Sequence, residues 1–334
     1  MFFKNEKEYK EYLKRNGILD IDSNSEVNYF NWDSEGHMLV DIKKCKESYI
    51  DVNDFYFCRG WIMLPDKKTM GLLKNPYGDI QRDITKEQYD ISLYNNLLIP
   101  QIAIQTENRT AQYYLAKLKN NNKIDKRVYI FTLDFKHKDE ELIHGEDIIE
   151  AMGEDTKELD IEKLIEITKN YLQKNGYSSQ DIEDIEKDFI KQSFLFRFVK
   201  HEDQHNKNWA ILNNKRNGRV RIAPVYDIDC SCDLNRNNKI MRKTTDGSLV
   251  SMDSFIEQYK DKKWFKEYLD KVIENFNIRQ AINEMKEETN VVLPETTKEH
   301  YMNFFGQRFM ELKQAYQKIY KDRTSEIEEN ERSY

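Results

Sequence analysis

Three polar side chains in the second half of the chain have the types and spacing for metal and proton chemistry. Asp203 and Asn208 lie in the charged segment HEDQHNKN, residues 201–208, and Asp227 follows the apolar stretch IAPVY. Carboxylate and amide oxygens are the ligands that Mg²⁺ prefers, and proteins usually hold this ion with one or two groups plus substrate phosphates. Asn208 and Asp227 therefore suit a magnesium site, and Asp203 could orient an attacking hydroxyl and accept its proton. Together they indicate phosphoryl transfer.

The segments around these side chains predict how they are positioned. Residues 194–199 are apolar except for Arg197 and close a helix, whereas HEDQHNKN is too polar to continue that helix into a core. WAIL, residues 209–212, is typical of a short strand, and NNKRNG, residues 213–218, is a strong turn signal. RVRIA, residues 219–223, alternates like a return strand. The sequence therefore predicts a β-hairpin directly after the polar loop.

The predicted hairpin brings its two open ends together. Neighbouring strands lie about 5 Å apart, so we expect Asp203 and Asn208 close to Asp227 despite their separation in sequence. Each of the three alone is typical of a turn, and their combination at one end of a hairpin favours the functional interpretation. Lys207 could neutralise charge on the transferred phosphoryl group. His205 allows two interpretations: a loop-organising side chain that bonds backbone carbonyls, which is slightly favoured, or a group near the phosphates.

The first part of the chain is rich in predicted strands. Short segments of β-branched and aromatic residues separated by turn-formers are typical of an antiparallel sheet. They are HMLVDI, SYIDV, FYFCRGWIML and MGLLK, followed by RVYIFTL at residues 127–133. Residues 4–15 predict a short amphipathic helix. Residues 84–118 predict mainly helix, with Thr106 as an N-cap and an apolar face at residues 113–118.

Beyond residue 145 the pattern becomes helical. Residues 160–174 carry apolar side chains at helical spacing and end near Gly176. Ser178 or Ser179 can cap the next helix, which is expected to run to about Lys200. Further helices are predicted at 253–273, 277–288 and 297–321. The second part of the chain is therefore expected to be mostly helical.

The composition restricts the class of protein. The net charge of −7 argues against a general nucleic-acid binder, which needs a basic surface. No apolar run is long enough to span a bilayer, and the charged N-terminus lacks the apolar core of a signal peptide. We therefore expect a cytoplasmic protein without membrane or direct nucleic-acid contacts, although an export signal read by a receptor stays open. Cys230 and Cys232 form an isolated C-x-C, for which reduced thiols are the favoured interpretation.

The polar loop and the hairpin carry a family resemblance. The motif D-x-H-x-K-N-W, starting at Asp203, is followed by I-A-P-V-Y-D, ending at Asp227. This combination resembles the C-terminal signature of HipA-like serine/threonine kinases and is also similar to a smaller relative, the Helicobacter cell-translocating kinase. Protein kinases use such an Asp, Asn and Asp as catalytic residue and metal ligands. The resemblance implies ATP and Mg²⁺ as cofactors and a protein with a Ser or Thr acceptor as substrate.

The resemblance extends to the nucleotide site. In MGLLKNPYG, residues 70–78, Lys74 takes the place of the family's strand-end lysine, which binds ATP phosphates. Without the family, Lys74 is typical of a strand-end lysine that extends into water. In the stretch that starts IFTLD, the resemblance implies that the backbone of Thr132 and Leu133 meets adenine and that Asp134 lies near the ribose.

Other parts of a kinase site have single candidates. Kinases pair the phosphate-binding lysine with a helix glutamate, and Glu107 is nearest to the expected place. Gly60 is the candidate for a glycine-containing phosphate loop. His144 and Asp147 are expected to be structural, since a carboxylate such as Asp147 is favourable near a helix N-terminus.

The sequence thus predicts an α+β, two-lobed protein-kinase-like fold. Residues 1–133 would form a lobe with an antiparallel sheet and the phosphate-binding lysine, and residues 134–334 a mostly helical lobe with the catalytic loop and metal site. The resemblance also brings into consideration autophosphorylation, toxin activity and a small antitoxin-like, DNA-binding partner. A kinase-like enzyme acting on a small molecule or lipid, and a nucleotide-binding pseudokinase, stay open as alternatives.

Overall fold

The computed structural model of this chain describes residues 33, 35–41, 46–47, 59–63, 70–74, 85–120, 123–124, 128–155, 160–232 and 251–321. The helix predicted at residues 4–15 and the strand predicted for SYIDV lie outside this part of the chain. Within it, a strand-rich part is followed by a helix-rich part, which agrees with the predicted α+β architecture.

Seven strands form the larger sheet. They are β1 Met38–Asp41, β2 Lys46–Glu47, β3 Arg59–Met63, β4 Met70–Lys74, β5 Tyr113–Asn120, β6 Lys123–Ile124 and β7 Tyr129–Leu133. Their order in space is β1–β5–β7–β4–β3–β2, with β6 paired to the end of β5. The described pairs are antiparallel except β1–β5, which is parallel. Strand β4 is central, so Lys74 lies opposite Arg59 on one side and Ile130 on the other.

Strand β5 shows that the helix predicted for residues 84–118 was drawn too long. Helix α1, Lys86–Gln105, ends at Thr106, which is its C-cap and not an N-cap. The hydroxyl of Thr106 donates to carbonyls of the last helical turn. Residues 113–116 are all buried because β5 lies between β1 and β7. Such a continuous apolar run cannot be distinguished from a buried helix by periodicity alone.

The helix-rich part largely confirms the predicted helices. Its helices are α2 Gly145–Ala151, α3 Ile161–Lys174, α4 Ser179–Phe198, α5 Met252–Tyr259, α6 Lys263–Asn275, α7 Ile278–Thr289 and α8 Glu295–Tyr316, which continues into a π-helical turn, Gln317–Lys321. Ser178 caps α4, and Gly176 follows α3 with a φ of +77°. The helix predicted at 253–273 is two helices, because the backbone at Lys262 is extended. None of the helices in the described ranges is long and apolar enough to cross a membrane.

A second, three-stranded sheet carries the predicted hairpin. It consists of β8 Glu140–His144, β9 Ala210–Asn214 and β10 Val220–Ile222, all antiparallel, with β9 in the centre. The hairpin between β9 and β10 confirms the predicted strand–turn–strand pattern. The Ala223 N–H donates to the carbonyl of Ala210 at 2.8 Å, closing its open end. Strand β8, which the sequence did not indicate, leads directly into α2 and attaches that helix to the hairpin.

One hydrophobic core connects the two parts of the chain. Helix α1 packs against β5 of the large sheet and also against α7 and α8. The same core includes Tyr113 in β5, Phe194 and Phe198 in α4, and Phe305 in α8. Helix α1 is therefore held between strand β5 of the large sheet and the helices α7 and α8 near the end of the described chain.

Candidate active site

Lys74 ends strand β4 beside two carboxylates of the segment after the hairpin. Its ammonium lies 3.0 Å from Oδ1 of Asp227 and 3.2 Å from Oδ2 of Asp229. Lys74 is buried, and a buried charge is costly unless it is paired. Lys74, which the sequence predicts to bind ATP phosphates, is therefore in direct contact with Asp227, which it predicts to bind the metal.

The backbone at Asp227 has an uncommon conformation. Its φ is +54°, in the left-handed region that residues other than glycine seldom adopt. The N–H of Asp227 donates to the hydroxyl of Tyr113, a buried residue of β5, at 2.9 Å. Nearby, the N–H of Val225 donates to the carbonyl of Arg109, and the N–H of Ala111 donates to the carbonyl of Val225, both at 2.8 Å. These bonds fix Asp227 to the start of β5.

The loop that contains Asp203 and Asn208 is held by its own polar groups. The amide nitrogen of buried Asn208 donates to the main-chain carbonyl of Asp203 at 2.8 Å. The backbone N–H of Asn208 donates to the carbonyl of His205 at 3.0 Å. The amide oxygen of Asn208 is therefore the atom left to face a cation. The side chain of Asp203 is 33 % exposed and accessible to an acceptor.

His205 and Lys207 have different places in this loop. His205 Nδ1 accepts the backbone N–H of Lys207 at 3.1 Å, so Nε2 carries the ring proton. Nε2 lies 3.7 Å from Oδ1 of Asp203, which means that His205 both organises the loop and faces Asp203. The ammonium of Lys207 lies 3.0 Å from Oε2 of Glu146. Within the described part of the chain, Lys207 pairs with Glu146 and is not brought to Asp203 or Asp227.

The start of helix α2 braces the same loop. The N–H of Gly145 donates to the carbonyl of Trp209 at 3.0 Å, and the N–H of Glu146 donates to the carbonyl of Asn206 at 3.1 Å. A Cβ on Gly145 would lie only 2.1 Å from the ring of Trp209. Only glycine therefore allows the helix to approach the loop this closely.

Tyr226, the residue before Asp227, ties the loop to the same helix end. Its hydroxyl donates to the carbonyl of Lys207 at 2.8 Å and lies 3.2 Å from Nδ1 of His144. Because a hydroxyl has a single proton, Nδ1 of His144 is the donor in the second bond. The backbone N–H of His144 donates to the carboxylate of Asp147 at 3.1 Å. His144 and Asp147 therefore have the structural role at a helix start that the sequence predicted.

A buried histidine connects the start of the polar loop to the segment after the hairpin. His201 is fully buried, and its Nδ1 lies 3.1 Å from Oγ of Ser231. Burial lowers the pKa of this imidazole because it disfavours the charged ring, whereas the charges of Asp203, Asp229 and Asp227 oppose the shift. The negative charges of the polar loop and of the segment after the hairpin thus both act on this one imidazole.

Thr132, Leu133 and Asp134 lie where β7 ends. Thr132 is paired with both neighbouring strands, β4 and β5. The N–H of Leu133 donates to the carbonyl of Gln112 at 3.0 Å, so this donor is already used within the protein. Asp134 accepts the backbone N–H of Lys136 at 3.0 Å, and burial raises the pKa of its carboxyl despite that bond. The structure thus places these residues at the end of β7, which lies between β4 and β5 in the large sheet.

Glu107 does not belong to the site, contrary to the expectation that it pairs with Lys74. It lies just beyond α1 with a φ of +51° and pairs with Lys191 at 3.2 Å and Lys271 at 3.0 Å. Glu107 was the nearest candidate only because the predicted helix ran through residues 84–118, whereas the helix ends at Gln105.

Gly60 is also misplaced, and two residues of the site were missed. Gly60 lies within β3 opposite Leu73, so it is not part of a loop over the phosphates. Asp229 was missed, although the alternation in D-I-D could have indicated two acids on one side of an extended segment. Tyr113 was missed because its segment was taken for helix. Its contact with Asp227 depends on pairing that no local pattern encodes.

The donor atoms at the end of the hairpin fit a magnesium ion. The carboxylate of Asp227 and the amide oxygen of Asn208 are hard oxygen ligands, as Mg²⁺ requires. Asp227 already attracts a cation, since the ammonium of Lys74 lies 3.0 Å from its Oδ1. The residues present therefore suit the ion that the sequence motif implies.

Another group of potential metal ligands lies outside this site. Asp33, Glu35 and His37 have ligand atoms close together. The ammonium of Lys117 already lies 2.9 Å from Oδ2 of Asp33 and 2.8 Å from Oε2 of Glu35. This lysine pairs with both acids, so the cluster is accounted for as an ion-pair network.

Solved structures show what the overall fold is similar to. The crystal structure of the Helicobacter pylori proinflammatory kinase CtkA aligns with a TM-score of 0.61 at 13 % sequence identity, over 83 % of this chain and 96 % of that chain. HipA of Shewanella oneidensis MR-1, solved with HipB and operator DNA, aligns with a TM-score of 0.47 at 10 % identity, over 74 % of this chain and 58 % of that chain. No curated protein matches the sequence. The likeness to the Helicobacter kinase shows the predicted kinase-like fold.

The family itself is shown by a sequence model. The model for HipA-like C-terminal domains matches residues 81–292. This range includes the polar loop, the hairpin and Asp227, and it begins after Lys74. Because the match spans more than half of the 334 residues, the chain belongs to the family of HipA-like C-terminal domains.

Proposed function

We propose that this protein is a phosphotransferase that uses ATP and Mg²⁺ to phosphorylate serine or threonine side chains of proteins. The observation that carries the proposal is the 3.0 Å contact between Lys74 and Asp227, beside the loop of Asp203 and Asn208. A phosphate-binding lysine next to a metal-binding aspartate is what a kinase needs to hold the charged end of ATP. Membership of the HipA-like family supports the same chemistry.

Each polar group of the site has one task in this proposal. Lys74 binds phosphate oxygens of ATP, Asn208 and Asp227 bind Mg²⁺, and Asp203 orients the acceptor hydroxyl and takes its proton. The ion, when bound, neutralises charge that develops on the transferred group. The partial exposure of Asp203 supports its role, because a protein acceptor has to reach this carboxylate from solvent.

The loop residues His205 and Lys207 have separate places in this proposal. His205 faces the carboxylate of Asp203, with Nε2 3.7 Å from Oδ1, a distance longer than a direct hydrogen bond. Lys207 would have to leave Glu146 to reach a phosphoryl group, and the exposure of its side chain makes that movement sterically open. A nucleotide could therefore recruit Lys207 after it binds.

Adenine and ribose are assigned to the end of β7. In the sheet, Lys74 lies opposite Ile130, and three residues of extended strand, about 10 Å, separate that position from Leu133. This spacing supports a nucleotide whose base contacts the backbone of Thr132 and Leu133, whose ribose lies near Asp134 and whose phosphates reach Lys74.

The same position is the boundary that we propose between the lobes. Residues 1–133 would form the first lobe and residues 134–334 the second. The boundary is supported by the sheets, because β7 is the last strand of the large sheet and β8 is the first strand of the small one. The contacts of α1 with α7 and α8 mean that the two lobes share packing.

The proposed activity is tested by incubating the purified chain with γ-labelled ATP, Mg²⁺ and a mixture of dephosphorylated proteins. We expect label on serine or threonine, its loss when Mg²⁺ is chelated, and its loss in Asp203→Ala and Asp227→Ala. In a parallel incubation with a metabolite and lipid extract, label found only there would assign the enzyme to the other acceptor class. Nucleotide binding without any transfer would indicate a pseudokinase and contradict the proposed activity.

A small antitoxin-like partner is a separate proposal that rests on family membership alone. Co-expression with proteins encoded by neighbouring genes would test it. A complex that survives gel filtration and lowers the rate of phosphate transfer would support this proposal. If every candidate protein elutes separately from the chain, the proposal is wrong.

A further inference from the structure

Protein kinases pair the phosphate-binding lysine with a glutamate from a helix packed on the sheet. Helix α1 is the helix that packs on the sheet here, and its acidic residues are Glu87 and Asp90, near its start. Asp90 pairs with exposed Lys86 at 2.6 Å. From Ile91 to Gln105 the helix has no acidic residue. The buried centre of α1 therefore offers no carboxylate to Lys74.

Lys74 is paired with a carboxylate from the segment after the hairpin, which also contains Asp227. Oδ2 of Asp229 lies 3.2 Å from its ammonium, and both side chains are only 10 % exposed. The other carboxylate in contact with Lys74, that of Asp227, is 27 % exposed. Asp229 is thus the more enclosed of the two and Asp227 the more open to a ligand. The poorly solvated environment strengthens the charge pair between Lys74 and Asp229.

Helix α1 contacts Asp229 through the side-chain amide of Asn95, whereas the helix of a protein kinase contributes a glutamate at the lysine. Asn95, fully buried in the middle of α1, donates from Nδ2 to the carbonyl of Asp229 at 3.0 Å and to that of Ser231 at 2.8 Å. The hydroxyl of Tyr301 in α8 lies 3.0 Å from Oδ1 of Asn95 and 3.0 Å from the carbonyl oxygen of Ile91, so its single proton is shared between these two acceptors. The side chain of Asn95 is therefore fixed from α8 and in turn fixes the backbone around Asp229.

We propose that Asp229 is the positioning residue of Lys74 and takes the place of the helix glutamate, with Asn95 holding its backbone. The inference rests on the proposed function, since the role of Lys74 as a phosphate ligand comes from there. The two carboxylates then divide their tasks when nucleotide binds: Asp227 turns to Mg²⁺, and Asp229 stays with the ammonium.

The test is a double-mutant cycle on the affinity for Mg–ATP, measured by calorimetry. Asp229→Asn removes the charge but keeps the backbone carbonyl that Asn95 binds. We expect Asp229→Asn and Lys74→Met each to weaken binding about tenfold. The double variant should bind about as weakly as Lys74→Met alone, because Asp229 acts through Lys74. Asp229→Glu, which keeps the charge, should recover part of the affinity.

The cycle separates the possible failures. If the two losses multiply in the double variant, Asp229 acts independently of Lys74, as a metal ligand or a purely structural group, and the inference is wrong. If the unmutated chain does not bind Mg–ATP, both the proposed function and the inference are wrong. Asp181→Asn is the matched control, because Asp181 is a similarly buried carboxylate that pairs with Arg219 at 2.8 Å. It should leave the affinity unchanged.

Discussion

The contact between Tyr113 and Asp227 links one hydroxyl to the backbone geometry of the site. A left-handed conformation costs about 1–2 kcal/mol for a residue with a side chain, so Asp227 needs neighbours that hold it at its φ of +54°. Tyr113 supplies an acceptor for its N–H at 2.9 Å. Burial and the charge of Asp227 raise the pKa of Tyr113 well above its usual value of 10, so the hydroxyl stays protonated and neutral.

Tyr113→Phe should weaken nucleotide binding as well as the fold. The change leaves the N–H of Asp227 without this acceptor, and an unmade buried hydrogen bond costs about 1–3 kcal/mol. We expect a lower free energy of unfolding in urea and a weaker affinity for Mg–ATP. Tyr268→Phe is the control, since it removes a buried hydroxyl that donates to the carbonyl of Thr106 at 3.1 Å. If both variants keep wild-type affinity, Tyr113 supports the fold alone.

At the scale of elements, the loop, the hairpin and the start of α2 form one unit. Gly145 and Glu146 donate backbone N–H groups to the carbonyls of Trp209 and Asn206. Strand β8 pairs with β9 and leads straight into α2. The position of Asp203 and Asn208 therefore depends on how closely α2 approaches Trp209.

Gly145→Ala should disturb this unit. The added Cβ would lie 2.1 Å from the ring of Trp209, so helix or ring has to move, and overpacking of this kind costs about 1–3 kcal/mol. We expect a lower melting temperature and slower phosphoryl transfer. Gly306→Ala is the matched control, because a Cβ there meets no atom within 4 Å; this variant should be as stable as the wild type or slightly more stable. Equal transfer rates in the two variants would contradict the coupling of α2 to the loop.

The same elements show which features a sequence can predict. The hairpin was predictable because NNKRNG is a local turn signal and RVRIA alternates with the period of a strand. Strand β5 was not predictable, because its residues are buried by the neighbouring strands β1 and β7, which lie far from it in sequence or pair with it only in the folded sheet. The pairing of Lys74 with Asp229 joins residues far apart in sequence. The motif indicated the metal end of the site, whereas the partner of the lysine depends on tertiary contacts.

At the scale of the whole molecule, ion pairs connect helices around the core. Glu186 in α4 accepts from Lys169 in α3 at 2.5 Å and from Lys262, just before α6, at 2.7 Å. Burial raises the pKa of Glu186, but the hydrogen bonds and charges of the two lysines outweigh burial and hold it below the usual 4.5. One carboxylate thus joins three segments of the helix-rich part.

We expect Glu186→Gln to make the free energy of unfolding less dependent on pH in the acidic range. Because the pKa of Glu186 is lower in the folded chain, its stabilisation is complete above pH 4.5 and is lost as the pH falls below that value. The wild type should therefore exceed the variant in urea midpoint near neutral pH, and the difference should shrink by about pH 4. Glu287→Gln, at an exposed position of α7, is the control for the loss of one carboxylate from the surface. A difference for Glu186→Gln that does not change with pH would contradict this role.

The central claim, that Asp203 serves the chemistry and Asp227 the metal, is tested most directly by comparing Asp203→Asn with Asp227→Asn in Mg–ATP affinity and single-turnover transfer. We expect Asp203→Asn to bind Mg–ATP within about threefold of the wild type and to transfer phosphate at least about a hundredfold more slowly, since loss of a general base costs on this order. Asp227→Asn should lose the part of the affinity that depends on Mg²⁺. Transfer at the wild-type rate by either variant would contradict the assignment.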